Sequence, residues 1–167
     1  MVYKFENIEY DYSVLISDDC IKSMVFELNQ HYPKEFGGIL VGIKGQKQCI
    51  IVDVQTPKLF EASKNSFLRK NDGLNEYLSD LYNKSEGVLE YLGEWHSHPN
   101  GTTAYSEDDE NSMMKLAKDE TVGFSKPLLI IFSVKRTEFK MSMYKIFNNK
   151  LITLTGIQNL DYAKINY

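Results

Sequence analysis

The stretch Gly93-Glu94-Trp95-His96-Ser97-His98-Pro99, carried on through Asn100-Gly101 to Ser106-Glu107-Asp108-Asp109, organises the rest of the chain. Val88 to His96 reads as a strand after the break at Gly87. Residues i and i+2 of a strand point to the same face, so His96 and His98 stand side by side with Cα atoms about 6.5–7 Å apart. Two imidazoles leaning together across that gap can share one ion at Zn–N distances of roughly 2.0–2.1 Å. Pro99 donates no ladder hydrogen bond and ends the strand where the rings are presented. A His-x-His pair alone is more commonly two solvent-facing or hydrogen-bonded strand histidines.

Ser106-x-x-Asp109 has the pattern of a capping box, with Ser106 as N-cap of a helix and Asp109 at its third position. Capping by itself explains both residues. The first turn of a helix also holds a carboxylate rigidly and aims it outward, and the glycine-containing connection after His98 gives the chain room to fold back. His96, His98 and Asp109 would then supply three protein ligands and leave a fourth tetrahedral position for water, whereas a closed structural zinc site supplies four.

Working outward, the helix begun at Ser106 packs through Met113, Leu116 and Ala117. Leu128 to Val134 and Phe139 to Phe147 read as strands turning near Arg136-Thr137, and Leu151 to Thr155 as a last strand after the turn at Asn148-Asn149-Lys150. Toward the N-terminus, Asn71 or Asp72 opens a helix with Leu74, Tyr77, Leu78 and Leu81 as its buried stripe, and Pro57 to Lys70 reads as a polar loop. Gly38 to Ile43 and Cys49 to Val54 form a hairpin around Gly45. Ser17 caps a first helix from Asp18, with Ile21, Met24, Val25 and Leu28 on one face and an end near Tyr32-Pro33. The order of helix, hairpin, helix, strand, helix and strands is that of a mixed α/β (α+β) domain, taken as one unit over residues 1–167.

The bulk properties agree with one compact domain. Hydrophobic residues make up 43% of the 167 positions, enough for a core, and the formal charge of -4 disfavours a nucleic-acid-binding face. No stretch reaches the roughly 20 apolar residues of a membrane helix. Met1 to Asp11 is polar and acidic rather than laid out as a signal peptide, so a cytoplasmic location is expected. Cys20 and Cys49 belong to no Cys-x-x-Cys pair and are expected to be buried and free.

Water activation also needs a group that takes a proton and passes it on. Glu35, at the start of Glu35-Phe36-Gly37-Gly38-Ile39-Leu40-Val41-Gly42, has the chemistry, but equally the pattern of a solvated acid at a helix–strand connection. Nothing in the composition brings it near the histidines. Glu94 could accept from an imidazole N–H or be an ordinary surface strand residue, and His31 suits the C-terminal dipole of the first helix.

Taken together, His96-Ser97-His98-Pro99 and Ser106-x-x-Asp109, with seven residues between His98 and Ser106, resemble the JAMM signature of the JAB1/MPN metallopeptidases. Glu35-x-x-Gly38-x-Leu40-x-Gly42 resembles the glutamate-bearing segment of the same family, in the right order. The resemblance implies a JAB1/MPN-like (cytidine-deaminase-like) fold with a central mixed sheet flanked by helices. It implies Zn2+ on His96, His98 and Asp109, Glu35 as general acid/base, and Ser106 stabilising an oxyanion. It further implies cleavage of a peptide or isopeptide bond after the C-terminal glycine of a ubiquitin-like protein. The short chain and Gly93-Glu94-Trp95-His96-Ser97-His98-Pro99 look like the bacterial stand-alone branch, including deconjugating peptidases of CBASS antiviral operons, with an E1/E2-like conjugating partner. A peptidase that processes the C-terminus of a sulfur-carrier protein, and a non-catalytic MPN-like binding scaffold, are the alternatives. The loop 57–70 is expected to wall the substrate groove.

Overall fold

A computed structural model of the protein describes residues 1–70, 73–119, 126–135 and 138–156, together with the backbone of 159–161. The chain runs β1 (Val2–Asn7), β2 (Tyr12–Ser17), α1 (Asp18–His31), β3 (Gly37–Lys44), β4 (Gln48–Gln55), β5 (Phe60–Ala62) and β6 (Phe67–Arg69). It continues with α2 (Leu74–Lys84), β7 (Glu90–Pro99), α3 (Glu107–Lys118), β8 (Leu128–Lys135), β9 (Glu138–Phe147), β10 (Lys150–Leu154) and β11 (Asn159–Asp161). The main sheet is ordered β1-β2-β4-β3-β7-β8-β9-β10, with β11 also on β9, and β5-β6 form a separate two-stranded sheet. The β2–β4 and β7–β8 pairs are parallel and the others antiparallel, so the sheet is mixed as expected. Its outer strands meet: Glu6 and Thr155 exchange backbone hydrogen bonds of 2.8 and 2.7 Å, which curls the sheet nearly shut.

The local signals that place these elements are physical. Ser17 Oγ accepts from Cys20 N at 3.1 Å and caps α1, whose residues Cys20, Ile21, Met24, Val25 and Leu28 are buried. Both cysteines are free and buried, as expected. The β8 run Leu128–Val134 is apolar apart from Ser133 because both its faces are covered. Leu128, Ile130, Phe132 and Val134 join the core with α1 and α2, while Leu129 and Ile131 pack with Met113 of α3. Each such buried side chain contributes roughly 1.5–3 kcal/mol.

Two expectations need correction, and one pair of strands adds to the expected order. That order begins with the helix from Asp18, whereas β1 and β2 precede it and pair from Val2↔Ser17 to Asn7↔Tyr12. On β1 only Phe5 is fully buried, so edge exposure erased the alternation there, although Tyr12, Val14 and Ile16 do alternate. The segment 57–70 is not all loop, because Phe60↔Arg69 to Ala62↔Phe67 form a hairpin whose phenylalanines turn toward the core. The strand expected from Val88 begins at Glu90 and runs to Pro99. The expected helix start at Asn71 or Asp72 and the turn at Arg136-Thr137 lie outside the described residues. No helix among the described residues is long and apolar enough to cross a membrane.

A bulge sets the phase of β7. Leu40 pairs with Gly93 and Val41 with Tyr91, leaving Leu92 without a partner on β3. Leu92 and Trp95 consequently both enter the core, and Glu94, His96 and His98 line a cavity. Gly93 has φ of 153°, and a Cβ there would fall 2.0 Å from Leu128 O. Gly93→Ala is therefore expected to cost about 3 kcal/mol or more; an unfolding free energy from urea titration lowered by less than about 0.5 kcal/mol would contradict this account.

Lys145 is buried at 2% exposure on the core face of β9. Its Nζ donates to Lys126 O at 2.6 Å and lies 4.5 Å from the centre of the Tyr12 ring. Burial lowers its pKa from 10.5 to about 8. Below pH 8 the ammonium is present in both states and the folded protein bears the full cost of burying it. Between pH 8 and 10.5 the unfolded chain keeps the proton that the folded chain has lost, so stability rises with pH. Lys145→Met is expected to be more stable than wild type at pH 7, and the gap should narrow by about 2 kcal/mol at pH ~9.5. Parallel urea curves with an unchanged gap would refute it.

Candidate metal centre

The strand β7 lies between β3 and β8, and its C-terminal end feeds α3 before the chain returns as parallel β8. Ligand sites of α/β folds form at such strand ends. After Pro99 the chain reverses through Asn100, which has φ of 59° and whose N–H donates to Val134 O at 2.8 Å. Ser133 Oγ donates to Gly101 O and Tyr144 Oη to Thr103 O, each at 2.7 Å. The returning loop is thus bolted to β8 and β9, and it delivers the start of α3 beside the two imidazoles.

The capping box forms as expected. Asp109 N donates to Ser106 Oγ at 3.1 Å, and Ser106 N donates to Asp109 Oδ2 at 2.7 Å. The same carboxylate reaches the histidines, with Oδ1 3.1 Å from His96 Nε2 and Oδ2 3.5 Å from His98 Nε2. The two Nε2 atoms are 3.0 Å apart. Side chains of His96, His98 and Asp109 keep 14%, 17% and 16% of their surface exposed, so the cluster is sheltered but reachable.

These three residues form a group able to hold a metal ion. Ligand atoms bound tetrahedrally to zinc at ~2.0–2.1 Å lie about 3.3 Å from one another, and the three separations here bracket that value. His98 Nδ1 lies 3.0 Å from Thr102 O, which accepts its proton and turns the Nε2 lone pair toward the cluster. Two imidazoles and a carboxylate are a zinc-type donor set, and the residues fit a divalent cation. Burial pushes the Asp109 carboxyl up, but hydrogen bonds from His96 and His98 outweigh it and hold the group well below the usual carboxylate range.

Glu35, remote in sequence, lines the same cavity of about 840 Å³ as His96, His98, Ser106 and Asp109. Burial raises its pKa, and the adjacent imidazoles only partly oppose the rise. Residues 64–69 form one wall, so the segment 57–70 does flank the site, and α3 forms the other. Glu94 does not serve an imidazole. Its Oε1 accepts from Arg69 Nη2 at 3.2 Å and from Tyr91 Oη at 2.9 Å, tying the hairpin wall to β7. Neither alternative for Glu94, acceptor for an imidazole or ordinary surface strand residue, describes it: it anchors the wall, because Arg69 arrives from a hairpin that local pattern did not reveal. His31 is structural: its Nδ1 lies 2.8 Å from Glu27 O, and its ring stacks on Phe36 with centroids 3.6 Å apart.

The sequence profile described as prokaryotic homologs of the JAB domain matches residues 17–145. A solution structure of a protein from Desulfitobacterium hafniense superposes with a TM-score of 0.60, at 19% identity, covering 83% of this chain and 87% of that one. The latter likeness shows the fold alone. No curated protein matches the sequence. The profile match spans every residue of the cluster, and the chain belongs to the JAB/MPN family, among the prokaryotic homologues of the JAB domain.

Proposed function

We propose that this protein is a zinc-dependent hydrolase that cuts a peptide or isopeptide bond after the C-terminal glycine of a ubiquitin-like protein. The observation that supports it best is the convergence of His96, His98 and Asp109 at 3.0–3.5 Å with Glu35 in one cavity. In this reading His96, His98 and Asp109 hold the ion. Bound there, zinc supplies Lewis acidity and brings the pKa of water toward ~7.

The remaining work falls to the chain's own groups. Glu35 takes the proton of the attacking water and returns it to the leaving amine. Burial raises its pKa, the direction that favours a group which must both accept and release a proton. Ser106 Oγ now donates to Asp109 Oδ2 at 2.7 Å while accepting from Asp109 N. Turning only the hydrogen toward a developing oxyanion keeps the helix cap intact, so capping and oxyanion stabilisation coexist in one residue. The hairpin β5–β6 provides the groove wall, and a substrate tail adds to it as an extended strand. Deconjugation in a bacterial ubiquitin-like system of the CBASS antiviral type, in the cytoplasm and alongside E1/E2-like partners, is the setting we favour.

The test uses purified zinc-loaded protein and fusions bearing ubiquitin-like Gly-Gly tails joined through a peptide or a lysine isopeptide bond, with cuts located by intact mass. Glu35→Gln is expected to keep zinc and to lose turnover by about 10²–10⁴-fold. His96→Ala should lose both zinc and turnover, and a chelator should abolish cleavage. Retained turnover in Glu35→Gln would remove the assigned proton carrier. Cleavage indifferent to chelator would remove the metal. A swap of residues 57–70 should raise KM for the cleaved fusion, and an unchanged KM would detach the hairpin from the substrate.

A further inference from the structure

Glu35 is held by its backbone. Among the described residues no hydrogen bond to its carboxylate is present, so the reach of that carboxylate is set by the course of the main chain through Glu35 and Phe36. On one side Glu35 N donates to Ser63 O at 2.7 Å. On the other, everything converges on Ser97. Phe36 N donates to Ser97 Oγ at 3.1 Å, Ser97 Oγ donates back to Phe36 O at 3.4 Å, and Ser97 N donates to Phe36 O at 2.9 Å. Ser97 is 2% exposed, and Phe36 equally so. The ladder between β3 and β7 starts one step further on, at Gly37↔His96. Gly37 permits this approach, since a Cβ there would lie 2.1 Å from Trp95 O.

We propose that Ser97 is a positioning residue for Glu35, through the paired hydrogen bonds of its hydroxyl to Phe36; the inference rests on Glu35 being the proton carrier. The alternation of β7 gives the device its logic. His96 and His98 present their rings on one face of the strand, and the residue between them points to the other face and grips the chain that carries the acid. Three consecutive residues thereby lock the proton carrier to the ligand pair in a single register. Without the hydroxyl, the buried Phe36 N–H has no acceptor, a state the backbone relieves by moving. Displacement of a catalytic group by about 1 Å costs on the order of 10²-fold in rate.

The experiment compares Ser97→Ala with wild type in the Glu35 and Glu35→Gln backgrounds, using the zinc-loaded enzyme and a cleaved ubiquitin-like Gly-Gly fusion. Ser97→Ala is expected to lower kcat about 10- to 100-fold, with KM and zinc per chain changed less than about twofold, and to add nothing once Glu35 is Gln. Independently of activity, amide exchange at Phe36 should quicken by about tenfold or more in Ser97→Ala while α1 keeps its protection. Ser97→Cys fills the same space with a weaker acceptor and gives the same pattern at smaller amplitude, which covers the case in which the alanine variant does not fold. Equal losses in both backgrounds, loss of zinc in step with kcat, or unchanged Phe36 exchange would overturn the role of Ser97 and leave that of Glu35 standing. Wild-type turnover in Glu35→Gln alone would instead overturn the reading beneath it.

Discussion

One carboxylate holds the architecture of the site together. Asp109 closes the capping box of α3 by accepting from Ser106 N, and the same group lies within 3.1–3.5 Å of both imidazoles at the end of β7. A helix start and a strand end are thus brought to one point by a group each of them uses. The cap fixes the carboxylate rotamer, and the rigid loop from Asn100 to Tyr105 sets the distance. This is how a short chain places a third ligand without a long ordered insertion.

Electrostatics explains why such a cluster is poised for a cation. Two imidazole nitrogens 3.0 Å apart present lone pairs to each other unless one carries a proton, and the carboxylate stabilises that proton at the expense of its own protonation. A divalent ion removes the conflict, replacing one shared proton with a charge all three groups face. Glu35 sits outside this contact, half-buried, where desolvation lifts its proton affinity. Two carboxylates in one cavity are thus shifted in opposite directions, Asp109 downward by hydrogen bonds from the imidazoles and Glu35 upward by burial.

The cavity owes its second wall to residues that contribute nothing to the main sheet. The β5–β6 hairpin is attached through Phe60 and Phe67 on Phe36, through Ser63 O on Glu35 N, and through Arg69 on Glu94. Each of these attachments lands on or beside a residue flanking the cluster, so the groove and the reactive groups form a single mechanical unit.

Spacing along the chain was enough to place α1, the β3–β4 hairpin, α3 and its capping box, because each is stabilised by neighbours within a few residues. The alternation that sets His96 and His98 on one face, and the Ser106–Asp109 pair, are of the same local kind. Motif resemblance supplied Glu35 as well, though no periodicity could: 61 residues separate Phe36 from Ser97, and only the β3–β7 ladder closes that gap. Folding in three dimensions also assigned Glu94 to Arg69, gave Ser97 its grip on Phe36, and joined β1 to β10. Such contacts depend on strand order and on a one-residue bulge at Leu92. Neither leaves a trace in local pattern, since a ladder is satisfied by backbone groups that every residue carries.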